Sequence, residues 1–330
     1  MSSFIVEQVR TETQHNHADV FPLIYAKQAG EDSILKAIAW VKQNQTALME
    51  QLSRHGAILF RDFPVVSDID FDAFLSAFAL PNFTYADSLS NAVRRNRTPQ
   101  VFTANEAPPS VSIFLHHEMA QTPIYPAQLF FFCELAAEQG GATPLCRSDL
   151  LLERLQQQLP DFIAACERLG VRYSNIMPSQ DDPESGQGRS WSSTLSVDNK
   201  TDAEAKLKSL DYQWQWLDDG SLQVTTPVLP AVKTLANGRR VFFNQLIAAF
   251  RGWKDSRNKS TRSIFFGDGS EIPSEHMAVA IELGDELSYD MQWQTGDVAL
   301  VDNFLVMHGR RPYTGERRVL AALVASDTSG

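Results

Sequence analysis

Trp293-Gln294-Thr295-Gly296-Asp297-Val298-Ala299-Leu300-Val301-Asp302-Asn303-Phe304-Leu305-Val306-Met307-His308-Gly309-Arg310-Arg311-Pro312-Tyr313 reads as an apolar strand that carries one histidine and breaks at a glycine. Its counterpart is His116-His117-Glu118, far upstream. On a strand or a strand-to-loop segment, residues i and i+2 point the same way, so His116 and Glu118 can converge while His117 faces elsewhere. Two imidazoles and one carboxylate can hold one face of an Fe(II) ion and leave the opposite face open for a bidentate co-substrate and then O2. His308 has the surroundings to be the third ligand that this reading needs.

An oxygenase that uses 2-oxoglutarate must also hold the far carboxylate of that co-substrate. A guanidinium offers a planar fork of donors suited to a carboxylate, with a charge that does not titrate in the working range. After His308 the chain turns between Gly309 and Gly315 and returns as Arg317-Arg318-Val319-Leu320-Ala321-Ala322-Leu323-Val324. Adjacent strand residues face opposite sides, so one of the two arginines is solvated. The reading places Arg318 inward, in register with Leu320 and Ala322 as a barrel lining. Thr143, just past the Gly140-Gly141 turn, is either a turn residue or a hydroxyl that shares the carboxylate with Arg318.

Around these residues the chain is mixed in its first third and β-rich later. Ser33 to Leu52 has helical spacing of Ile34, Ile38, Val41, Leu48 and Leu52, with Asp32 or Ser33 as a cap. Ala57 to Phe60 is a short apolar strand, and Asp70 to Phe78 is a second helix with Phe71, Phe74, Leu75 and Phe78 on one face. Phe130 to Cys133 is a strand. Helices follow from Asp149 to Leu159 and from Phe162 to Leu169, and strands resume at Val171. Met177 to Leu195 is polar and rich in chain breakers, as lids and binding loops are. Alternation with glycine-containing turns after about residue 222 predicts a jelly-roll core.

Composition narrows the class. Hydrophobic residues make up 43% and charged residues 21%, which suits an ordinary globular protein with a real core. No apolar run reaches the roughly 20 residues that span a membrane, and the first ten residues carry no basic-then-apolar export pattern. Cys133, Cys146 and Cys166 form no metal-type cluster and are expected as thiols, in keeping with a cytoplasmic setting. The net charge of -11 argues against a nucleic-acid partner. Local basic clusters such as Arg94 to Arg97 can instead receive an acidic substrate or carrier.

With these residues in place the chain resembles the taurine dioxygenase and clavaminate synthase-like group of Fe(II)/2-oxoglutarate dioxygenases. It is most similar to the branch that hydroxylates amino acids in natural-product pathways, including the syringomycin-type aspartyl hydroxylases. The resemblance runs from Gly56 to the C-terminus. It passes through Gly56 to Phe63, Val101 to Glu106, His116 to Ala120, Gly140 to Pro144, Phe266 to Gly269, Asp302-Asn303 and His308 to Arg318. It implies His116, Glu118 and His308 as iron ligands, and Thr143 with Arg318 as the grip on 2-oxoglutarate. Two departures matter. Most of this superfamily uses Asp where Glu118 stands, as the clavaminate synthase branch does not. The taurine enzyme also carries an arginine for the sulfonate four residues after its co-substrate arginine, where this chain has Ala322.

The expectation is a single domain over residues 1–330, mainly β with α insertions, built on a double-stranded β-helix of the cupin-like jelly-roll type. A helical part at about 30–80 and an insertion with a lid at about 149–200 complete it. Fe(II), 2-oxoglutarate and O2 are the expected cofactors and co-substrates, with succinate and CO2 released. The substrate is expected to be an amino acid or derivative, free or carrier-bound, and Arg94, Arg95, Asn105, Glu106 and Asn244 are its candidate contacts. Hydroxylation is the leading reaction, with desaturation or cyclisation as same-fold alternatives. A halogenase is disfavoured by Glu118, and a zinc hydrolase leaves the arginine unexplained. A non-catalytic barrel that only binds is the remaining alternative.

Overall fold

Phe130, Phe131, Phe132 and Cys133 are consecutive and all buried, which requires a strand covered on both faces. That strand, Gln128–Leu135, lies between Val298–Asp302 and Arg318–Val324 in a seven-stranded sheet. The sheet continues through Ala57–Arg61 and Leu23–Lys27 to Val6–Val9 on one side, and ends at Phe102–Thr103 on the other. The computed structural model describes residues 4–17, 19–28, 30, 32–84, 88–90, 92, 94–104, 107–182, 188–252 and 263–325.

A second sheet, in the order Tyr289–Met291, Thr143–Arg147, Val306–Arg310 and Ile113–His116, faces the first. Phe131, Cys133, Val319, Ala321 and Leu323 of the large sheet meet Leu145, Val306 and Met291 of the small one in a shared core. Mostly antiparallel sheets packed in this way make the expected jelly roll.

Helices cover the outer faces. Ile34–His55 buries Ala37, Val41, Leu48 and Leu52, successively four, seven and four positions apart and therefore on one stripe. It ends at Gly56, whose φ of 83° is left-handed, and a Cβ there would strike Val306. Asp68–Ser76 starts at Ser67, whose hydroxyl accepts from the Asp70 amide, and it buries Phe71, Phe74 and Leu75. These helices pack on Phe130, Phe132, Leu320 and Ala322, the outward face of the large sheet. Ser148–Gln158, Pro160–Leu169, Leu246–Gly252 and Ser274–Glu286 cover the small sheet through Leu115, Cys146 and Met307.

A third sheet, ordered Gln213–Trp216, Leu222–Thr225, Val171–Met177 and Ile264–Phe266, stands beside the jelly roll. With helices Trp191–Leu195 and Lys200–Ser209 it encloses a small core of Met177, Leu195, Leu207, Tyr212 and Leu222. The stretch read as a polar lid is therefore partly ordered structure. A strand runs to Met177, and the short helix Trp191–Leu195 is capped by Ser190, whose hydroxyl accepts from the Ser193 amide. Residues 183–187 lie outside the described residues. The three cysteines are buried thiols, pushed up to about 12 by burial. Among the described residues no helix is long and apolar enough to cross a membrane.

Candidate metal centre and its two chambers

Strands Ile113–His116 and Val306–Arg310 are antiparallel neighbours in a register that pairs His116 with His308. Their ring centroids are 4.3 Å apart. Gly309 allows this approach, because a Cβ there would run into the carbonyl of Ile113. His116 Nδ1 lies 2.8 Å from the Phe114 carbonyl. A carbonyl only accepts, so that nitrogen carries the proton and Nε2 presents its lone pair. The Nε2 atoms of His116 and His308 are 3.8 and 3.5 Å from Glu118 Oε2. One ligand atom from each residue lies within 4.8 Å of the others.

Glu118 is seated by Asn303, which is fully buried. The Glu118 amide donates to Asn303 Oδ1 at 2.7 Å, and Asn303 Nδ2 donates to the Glu118 and Pro126 carbonyls at 3.0 and 2.7 Å. The neighbouring His117 turns the other way. Its Nδ1 donates to the Asn303 carbonyl at 2.5 Å and its ring packs on Phe243 at 4.8 Å.

The charge states suit a divalent cation. Burial, then the nearby His116, push His308 down to about 4, so its imidazole is neutral. Burial alone would raise Glu118, but Arg94 and the two imidazoles outweigh it and hold the carboxyl well below the usual range. Two imidazoles and an ionised carboxylate on one side of a cavity are the donor set that Fe(II) takes, and the residues present fit that ion.

Two chambers meet at this centre. The smaller, about 60 Å³, is lined by Thr143, Phe131, Arg310, Arg317 and Val319 together with the three ligands and Arg94. Arg317 Nε donates to the Gly141 carbonyl at 3.1 Å. Burial first, then the positive charge of Arg310, push Arg317 down to about 10, so it stays cationic at neutral pH. Arg310 is anchored on the Ala107, Pro108 and Val111 carbonyls at 2.8–2.9 Å. The Thr143 hydroxyl accepts from the Trp293 indole at 2.9 Å, which leaves its own proton to donate into the chamber. Three guanidiniums against one carboxylate make this chamber a receptor for a dianion.

The larger chamber, about 190 Å³, shares His116, Glu118, Arg94 and Ile113 with the smaller. Its polar lining includes Ser90, Gln121, Asn175, Tyr212, Thr226 and Gln245, and Arg94 is the guanidinium among its lining residues.

Of the two adjacent arginines, the one that lines the smaller chamber is Arg317, not the expected Arg318. Arg318 is half-exposed and pairs with Glu134 and Glu316 at 2.9 and 3.1 Å, outside the chamber. Arg317 is the one that reaches in. The parity was misassigned because both faces of this strand are apolar: Val319 and Ala321 face the barrel core, and Leu320 and Ala322 face the helices. Arg94 lines both chambers, whereas its neighbour Arg95 is exposed and lines neither. Asn244 is fully buried and structural, donating to the Ala231 carbonyl and accepting from the Leu246 amide. Its neighbour Gln245 lines the chamber instead and donates to the His117 carbonyl. Asn105 and Glu106 lie outside the described residues. Sequence reasoning gave no role to Asn303, Arg310 or Gln245, although Asn303 and Arg310 both stand within the motifs around His308.

Residues 22–323 match the family described as taurine catabolism dioxygenase TauD, TfdA family. A clavaminate synthase-like protein of Arabidopsis thaliana is 38% identical over 284 residues, covering 86% of each chain. Dapdiamide synthesis protein DdaC of Enterobacter agglomerans is 29% identical over 294 residues, covering 83% of this chain and 84% of its own. Among solved structures, an asparagine oxygenase in complex with Fe(II), 3-hydroxyasparagine and succinate has the same fold. It superposes with a TM-score of 0.53 at 12% identity, over 89% of this chain and 85% of that one. The triad at the mouth of a cationic chamber and the match over nearly the whole length lead to one assignment: this chain belongs to the TauD/TfdA family of Fe(II)- and 2-oxoglutarate-dependent dioxygenases.

Proposed function

We propose that the chain hydroxylates a small amino-acid-type substrate bound in the larger chamber. Fe(II) would sit among His116, Glu118 and His308, with 2-oxoglutarate in the smaller chamber. The observation that carries this reading is a pair of adjoining chambers that share His116, Glu118 and Arg94, one lined by two further guanidiniums and the other mainly by neutral hydrogen-bonding groups. Fe(II), 2-oxoglutarate and O2 together supply oxidation of a C–H bond coupled to release of succinate and CO2.

The chain's own residues do the rest. Arg317 meets the far carboxylate of 2-oxoglutarate, and Thr143 donates its hydroxyl proton to the same group. Arg310 adds positive charge at the chamber wall while three backbone carbonyls hold it in place. Asn303 fixes the backbone of Glu118, and His116 and His308 are locked by strand register. On the other side Arg94 offers a charge to a substrate carboxylate, with Asn175, Thr226 and Gln245 nearby for neutral polar groups. The third sheet and its helices bring Met177, Asn175 and Tyr212 over this chamber, which limits water around the reacting centre.

Among the relatives, a dapdiamide synthesis protein and an asparagine oxygenase are in keeping with an amino-acid substrate. With Arg317 as the co-substrate arginine, the residue four positions on is Ala321, so the sulfonate-binding arginine is still missing. The test is substrate-dependent succinate formation by the Fe(II) enzyme across free amino acids, their amides and short derivatives, with taurine as a separate arm. The expected result is coupled turnover and a product heavier by one oxygen with an amino-acid compound, and none with taurine. Efficient turnover of taurine, or of non-amino-acid compounds alone, would overturn the substrate class.

A further inference from the structure

The two oxygens of Glu118 are in different hands. Oε2 faces the imidazole nitrogens of His116 and His308, at 3.8 and 3.5 Å. Oε1 accepts from Arg94 Nη2 at 2.9 Å. Both side chains of that ion pair are buried, at 7% and 6% exposure, and the guanidinium lies 5.3 Å from the centre of the Phe102 ring. A charge-assisted hydrogen bond is strong in such surroundings, because water does not compete for either partner. Arg94 also stands in the wall between the chambers, since it lines both.

A carboxylate can ligate a cation through one oxygen or through both. Two-oxygen ligation by Glu118 would occupy a position that a bidentate co-substrate needs on the open face. We infer that Arg94 is a positioning residue that holds Glu118 to one-oxygen ligation and so keeps the 2-oxoglutarate position open. The inference rests on the reading of His116, Glu118 and His308 as the metal ligands. It assigns a cation of the substrate chamber to control of the metal's free positions.

Crystals of the wild-type protein soaked with Mn(II), and of Arg94→Met treated in the same way, test it directly. In the wild type one Glu118 oxygen should lie on the ion and the other on Arg94. In Arg94→Met both oxygens should lie on the ion. Anaerobic titrations supply a second readout. Arg94→Met should keep its Fe(II) affinity within about threefold while 2-oxoglutarate affinity falls about tenfold, or about 1.4 kcal/mol. Arg94→Lys should restore most of the 2-oxoglutarate affinity. A merely structural role would weaken both ligands together. Two-oxygen ligation in the wild type, one-oxygen ligation in Arg94→Met, or parallel loss of Fe(II) and 2-oxoglutarate would overturn the inference. Failure of the ligand reading is separate: there, Mn(II) in the wild-type crystal would sit away from His116 and His308.

Discussion

Replacing Arg317 with leucine removes a half-buried guanidinium from the small chamber while keeping an apolar stem of similar course. Arg317 is desolvated enough to be pushed down to about 10, and its Nε is already spent on the Gly141 carbonyl. The side chain lines the space a dianion would fill. Breaking a buried ion pair by removing one partner costs roughly 3–5 kcal/mol. Arg310 and Thr143 stay in the lining of the same chamber, so the lower end applies. At about 1.4 kcal/mol per decade, about 3 kcal/mol is a loss of roughly a hundredfold in 2-oxoglutarate affinity. Titration of 2-oxoglutarate into the anaerobic Fe(II) enzyme, followed by the visible metal-to-ligand band, measures it. Fe(II) affinity should change little, since no ligand is touched. Arg318→Leu is the control: its partners Glu134 and Glu316 hold an exposed guanidinium, and such pairs contribute about 1 kcal/mol or less. Unchanged binding in Arg317→Leu with a large loss in Arg318→Leu would return the grip to Arg318. Unchanged binding in both would remove the small chamber as the 2-oxoglutarate site.

His116→Ala, Glu118→Ala and His308→Ala should each abolish succinate formation. His117→Ala should still bind Fe(II) but melt earlier, since it empties a fully buried site beside Phe243 at a cost of about 1–3 kcal/mol; iron lost from His117→Ala and kept by His116→Ala would refute the register. Asp302 gives a pH signature. Burial pushes it up to about 6, above the roughly 3.9 of an unfolded aspartate, so the folded chain holds a proton that the unfolded chain has already lost. Stability then falls as pH rises through that window. Asp302→Asn keeps an acceptor for the Phe304 amide and should gain up to about 2–3 kcal/mol in urea unfolding near pH 7.5, fading below about pH 4. An equal effect at both pH values would show that the carboxyl's titration is not responsible.

What could be read from the sequence follows how one-sided each element is. The helices Ile34–His55 and Asp68–Ser76 bury a single stripe, so their periodicity located them to within a few residues. The His116 and Glu118 pairing needed only the alternation of an extended chain, and His308 lay in a recognisable strand before a glycine. The parity of Arg317 and Arg318 was hidden because Val319 to Val324 are buried on both faces, leaving no polar face to orient them. Asn244 and Gln245 lie in the bend before the Leu246–Gly252 helix, where no periodicity tells which neighbour reaches the chamber. The strands Val6–Val9 and Leu23–Lys27 passed unnoticed, being short and extending the sheet at its edge. Arg94 was found as a substrate contact, but its bond to Glu118 depends on a distance between residues 24 positions apart that no local pattern encodes.

Gly309 makes strand spacing part of the coordination chemistry. It sits directly after His308, where the backbone of Ile113 leaves no room for a Cβ. Any larger residue would wedge apart the two strands that carry the histidines and widen the gap between their rings. The chain would still have every ligand and every arginine, and its core would still be sealed on both faces. It would have lost only the gauge that sets which ions fit. A sequence change with no donor atom of its own would thus alter the distance between the two imidazoles.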